Sequence, residues 1–257
     1  MNVEPNPFAG PQPAPSPLPH PMGIAAPIVP FASGHKRALW TMSLLLIAAL
    51  TNAICTGSSY LFYRTVRATN RPAEPTVGPI DWINNLAMIG CIVAFCLWTH
   101  RVYRNLPALG ARGLRYTPGW AVGWLFVPLA NLVIPLLVFS EIWNNSMPIR
   151  PDATRGKRRR ISLLLVGWWA ANLLMFVVFV VAVAMLLVLL CQAIAGGAAP
   201  NQVARLISGS TADFYLLSAV IAPAIGSVAA ILAVFVVWRI DVNQRVKYEQ
   251  ISAAAAR

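Results

Sequence analysis

The chain has 257 residues, is 58 % hydrophobic and only 11 % charged, and carries a formal net charge of +12. Five apolar stretches take up most of that length, so no room is left for a separate soluble domain. They are continuously apolar rather than alternating, which argues against a β-barrel, and the excess Lys and Arg sit at their ends, which argues against a nucleic-acid partner.

Residues 1–34 contain ten prolines, with Pro11, Pro13, Pro15, Pro17, Pro19 and Pro21 alternating with other residues. Such a segment lacks the donors and torsional freedom for helix and reads as extended polyproline II. We expect residues 1–37 to form a disordered cytoplasmic tail, either a plain spacer or a dock for a cytoplasmic protein partner. Residues 38–242 then form a transmembrane helical domain, and 243–257 a short cytoplasmic tail.

The stretches are Leu39–Tyr63, Ile80–Val102, Pro118–Ile142, Leu163–Cys191 and Phe214–Trp238. Each is long enough for the ~20 residues that cross a ~30 Å hydrocarbon core. In the first, Ala49, Ala53 and Gly57 recur every four residues. Ser218, Ala222, Gly226 and Ala230 do so in the last, a spacing that lets helix backbones approach closely within a bundle or between copies in a homo-oligomer. The second opens on Pro79, and Asp81, Asn84 and Asn85 near its outer end are expected to cap it. Asn52 and Asn172 fall near mid-membrane and are expected to hydrogen-bond between helices.

The third stretch differs. It contains Pro118, Pro128 and Pro135, with Asn131 inside and Glu141 near its end. Proline biases the preceding residue away from helix, so the stretch is expected to break near 128–132 into two arms too short to cross. Charge decides between crossing and return. If all five stretches cross, the two faces hold 7 and 13 of the Lys and Arg residues; if the third re-enters, they hold 16 and 4. Cytoplasmic loops carry that excess. The reading is therefore all-α: a polytopic membrane bundle of four spans plus a re-entrant hairpin, both termini cytoplasmic in the inner membrane, with five spans as the alternative. Pro128, Asn131 and Pro135 then form either a structural elbow or the site of a small transporter or channel. Glu141 lies at the interface, within reach of Arg101 or Arg104. The run Lys157, Arg158, Arg159 and Arg160 opens the fourth stretch and is expected to contact anionic lipid headgroups. Tryptophans 40, 98, 120, 143, 168, 169 and 238 fall near the cytoplasmic interface, where this residue is favoured.

Trp98, Arg101 and Asn105, then Gly119-Trp120 with Gly123-Trp124, then Pro128, Asn131, Pro135, Glu141 and Trp143 make one spaced pattern. Gly167-Trp168-Trp169 and Val237-Trp238-Arg239-Ile240 with Gln244 continue it. The pattern resembles a bacterial membrane family, domain of unknown function 4328, over roughly residues 80–245. The resemblance implies no activity.

Cys55, Cys91, Cys96 and Cys191 lie in or at the ends of apolar stretches, without C-x-x-C spacing or a ligand-spaced histidine. His20, His35 and His100 have no acidic residue beside them in sequence. No hydrolase, metalloprotease or nucleotide-binding motif is present. The expectation is a non-catalytic scaffold or sensor without cofactor or metal.

Overall fold

In the computed structural model, residues 30–69, 78–149, 162–195 and 216–257 are described, and every regular element among them is helical. The helices are α1 (His35–Thr69), α2 (Pro79–Arg104), α3 (Pro118–Gly123), α4 (Ile134–Ser146), α5 (Leu163–Ala195) and α6 (Ala222–Ala255), the last preceded by a π turn at Leu216–Ile221. Four regions are long and apolar enough to cross a membrane: α1, α2, residues 163–185 of α5, and residues 219–255.

Helix α1 packs between α2 and α6, and α5 packs on α6 as well. The buried positions of α1 (Ala38, Thr41, Leu45, Ala48, Asn52 and Cys55) are spaced by three and four, a continuous stripe along one face. Polar side chains tie α1 to its neighbours. Thr41 Oγ1 donates to the Ala94 carbonyl at 3.1 Å, Thr51 Oγ1 to Asn84 Oδ1 at 2.8 Å, and Ser227 Oγ to the Ala49 carbonyl at 3.3 Å. The small-residue stripe of α1 is engaged at one of its three positions: Ala49 is buried, whereas Ala53 and Gly57 face outward. On α6, Gly226 lets the Asn52 amide and the Met175 sulfur come close.

The start of α2 matches the capping expectation. Pro79 opens the helix and Asp81 Oδ2 accepts from the Gly78 amide at 2.8 Å. At 35 and 34 residues, α1 and α6 are each ~50 Å long at ~1.5 Å per residue and outreach a ~30 Å hydrocarbon core. Beyond residue 243, α6 continues as helix to Ala255, with Asn243 and Gln244 buried.

The third stretch is broken as the prolines imply. The six residues of α3 give way to short 3₁₀ turns at Trp124–Phe126 and Ala130–Leu132, and helix resumes as the 13-residue α4. Neither arm reaches 18 residues, and α4 at ~1.5 Å per residue is ~20 Å long. It wedges Phe139 between α2 and α5, in an aromatic cluster with Phe95 (5.5 Å between ring centroids), Trp98 (6.2 Å) and Trp168 (4.9 Å, edge-on). Trp98, Trp143 and Trp168 are thus core residues, their rings turned into the bundle. Trp40, Trp120 and Trp238 are exposed.

Candidate functional site

The polar side chains of the bundle converge at one end, where α1 begins, α2 and α4 carry their last turns, α6 runs past on its way to Ala255, and the loop before α3 passes. Val102, in the last turn of α2, has a carbonyl past the helix's own ladder: the Asn105 amide bonds Arg101 and the Leu106 amide bonds Tyr103. Gln244, on α6, reaches across. Its Nε2 donates to the Val102 carbonyl at 3.1 Å and to Ser146 Oγ at 3.2 Å, and its Oε1 accepts from Asn105 Nδ2 at 3.4 Å. Asn105 also grips the chain before α1, giving Nδ2 to the Ala32 carbonyl (2.9 Å) and accepting the Ala32 amide at Oδ1 (3.4 Å). Asn105, Ser146 and Gln244 are all buried.

Next to this amide network lies a charged one. Asp241, buried on α6, stands 2.9 Å from His35 Nδ1 and 3.1 Å from Arg245 Nη2, while both partners are about 40 % exposed. The acidic neighbour that His35 lacks in sequence is therefore supplied 206 positions away. Phe31 stacks on Tyr248 at 4.2 Å, so the end of the proline-rich tail is laid along α6.

A third group closes the broken segment. Glu141 Oε2 accepts from Tyr103 Oη at 2.7 Å, Glu141 Oε1 accepts from the Arg115 amide at 3.1 Å, and Tyr103 Oη accepts from the Tyr116 amide at 3.0 Å. The residues just before α3 are thereby fastened to α4 and to the end of α2. Arg101 and Arg104, expected as partners of Glu141, do not pair with it. Arg101 lies beside Gly34 and Arg104 is exposed, and the buried Tyr103 phenol takes the carboxylate instead.

Of the other predicted positions, Pro128 and Asn131 are exposed, and among the described residues the Asn131 side chain has no hydrogen-bond partner. Pro135 is buried in the first turn of α4. The elbow is held by a residue not predicted for that role: Trp169 Nε1 donates to the Leu132 carbonyl at 3.0 Å. Asn172 bonds back to the Trp168 carbonyl of its own helix at 2.8 Å rather than to a neighbouring helix, and Asn52 lies against Gly226. Lys157, Arg158, Arg159 and Arg160 lie outside the described residues, as do residues 1–29. Among the described residues no cluster of potential metal ligands occurs, and Cys55, Cys91, Cys96 and Cys191 are free thiols.

A family model described as Domain of unknown function (DUF4328) matches residues 67–242. The chain belongs to this family. No curated protein and no solved structure matches the chain. The positions that carry the DUF4328 resemblance meet in space: Trp98 and Trp168 touch Phe139, Trp169 caps the elbow, Glu141 closes the segment, and Asn105 bonds Gln244. Tyr103, Ser146 and Asp241 stand outside that pattern. No local signal marks them, because their partners lie on other helices.

Proposed function

We propose that this protein is a non-catalytic multi-pass scaffold or sensor of the inner membrane, whose two termini work from one cytoplasmic platform. The observation that carries this is the clasp at the polar end of the bundle. Asn105 holds the backbone of Ala32, and Tyr248 stacks on Phe31, so the proline-rich tail leaves from the side of the C-terminal helix. The tail would reach a cytoplasmic protein, and the basic run at Lys157–Arg160 would meet anionic headgroups.

In this reading four helices span and residues 118–146 enter and leave on the cytoplasmic side. Two contacts support re-entry. Arg115 and Glu141, which flank the segment, bond each other. The elbow carbonyl of Leu132 bonds Trp169, the seventh residue of α5, only ~9 Å along that helix from its start. The transporter alternative draws no support from the elbow, because Pro128 and Asn131 face outward, the wrong side for a filter within one chain.

Cysteines introduced at Arg112, Arg257 and Ser59 test the topology: 112 and 257 should label from one face and 59 from the other. Labelling of 112 and 257 from opposite faces would sink the re-entrant reading. For the function, a chain lacking residues 1–29 should insert normally but lose photo-crosslinks to cytoplasmic protein. Solute or ion flux in liposomes that vanishes in a Pro128→Ala/Asn131→Ala variant would instead establish transport.

A further inference from the structure

An open cleft of about 440 Å³ lies between the last two turns of α2 and the loop leading to α3. His100 and Arg104 line it one helical turn apart on α2, with Tyr103 between them and Leu114, Pro118 and Gly119 across the gap. Among the described residues neither His100 nor Arg104 has a hydrogen bond or an ion pair. Glu141, the carboxylate nearest Tyr103, has both oxygens engaged by Tyr103 and Arg115. The C-terminal end of α2 presents the negative pole of its dipole, and Arg101 with Arg104 in its last turn offsets that.

Depth matters as much as charge. The 26 residues of α2 make ~39 Å of helix, which exceeds a ~30 Å core and leaves the 100–104 turn at headgroup level. A guanidinium without a partner among the described residues, beside proline and leucine walls, suits a phosphodiester whose ester-linked chains continue into apolar surroundings.

We infer that this cleft binds a phosphate-bearing anion, with Arg104 on the phosphate oxygens, His100 beside it and Leu114 with Pro118 against the apolar remainder. The inference rests on the membrane reading above. Alkaline carbonate extraction tests that reading separately: a chain that washes off the bilayer refutes the membrane reading, whereas a retained chain can still fail at the cleft.

The test uses the full chain in phosphatidylcholine nanodiscs with increasing phosphatidylglycerol, and native mass spectrometry to count the lipids that stay bound. Phosphatidylglycerol should be retained over phosphatidylcholine, and Arg104→Gln should weaken that retention about tenfold, as the loss of one direct charge-assisted hydrogen bond to a phosphate oxygen would. Arg239→Gln, an exposed arginine of α6 at the same end of the bundle, should leave it unchanged. Millimolar inorganic phosphate separates the two sources: no competition identifies the lipid headgroup, and competition identifies free phosphate in the same cleft. Equal loss in Arg239→Gln, or no preference for phosphatidylglycerol in the parent chain, overturns the inference. Should Arg104→Gln unfold, Leu114→Trp, which fills the cleft without touching the charge, must show the same loss for the inference to stand.

Discussion

Replacement of Gln244 by alanine should cost more stability than any surface change in the chain, because three helices meet on this one amide. Its Nε2 serves the Val102 carbonyl and Ser146 Oγ, and its Oε1 serves Asn105. Asn105 keeps Ala32 as a partner when the amide is lost, but Val102 and Ser146 are left with buried oxygens facing nothing. Each such orphan costs ~1–3 kcal/mol, so the expected loss is ~2–6 kcal/mol. Gln244→Glu is no remedy, since a carboxylate has no donor for the Val102 carbonyl. The loss can be read as a shift in denaturant unfolding of the detergent-solubilised chain, followed by tryptophan fluorescence. Ser146→Ala measured alone and in combination completes a double-mutant cycle, where ~1 kcal/mol of coupling is expected. A Gln244→Ala loss below ~0.5 kcal/mol, or a coupling of zero, would refute the claim that this amide joins α2, α4 and α6.

Further outcomes follow from the same contacts. Tyr103→Phe removes the hydroxyl between Glu141 and Tyr116 and should cost ~1.5–3 kcal/mol, since one acceptor is a carboxylate; Glu141→Gln, which keeps one accepting oxygen, should cost less in the same unfolding assay. Trp169→Phe frees the Leu132 carbonyl and should cost about 1 kcal/mol, with faster proteolysis near 126–133 as an independent readout. Asp241→Asn should cost only ~1 kcal/mol or less, because His35 and Arg245 are substantially exposed and solvent screens them; the difference from the parent should shrink as salt is raised.

The four helices long and apolar enough to cross a bilayer were legible because that is a local requirement: ~20 apolar residues in a row suffice, whatever surrounds them. The break in the third stretch was legible for the same reason, since proline acts on its own backbone and on the residue before it. Asp81 is also a local device, three residues from the amide it caps. What could not be read is what depends on distant pairing. Nothing near His35 announces Asp241, and nothing near Glu141 distinguishes Tyr103 from the two arginines that flank it in sequence. The choice is geometric: on α2, residue 103 turns inward with 98, 99 and 102, while 104 turns out. Which tryptophans turn inward is likewise a matter of distant pairing: Trp98 packs on Phe95 and Trp168 on Phe139.

Asn131 and Asn172 show where residue-type reasoning about membrane polar groups gives out. A buried asparagine is expected to bridge helices, yet Asn172 satisfies its amide on its own helix, at the Trp168 carbonyl. Asn131 faces outward beside an elbow whose Leu132 carbonyl is already taken by the Trp169 indole. The side chain that stabilises the break is thus an aromatic donor reaching across from α5, not the polar residue at the break itself. The same holds one layer further out, where Tyr103 rather than an arginine receives Glu141. In both places the donor sits on a rigid ring with few rotatable bonds, so fixing it loses less entropy than fixing an arginine would. A pattern rich in Trp, Asn and Pro with no reactive group at its centre is what a short broken segment needs in order to be held between long helices. On that account the family-marking residues of this chain encode a clamp that holds the broken segment between α2 and α5.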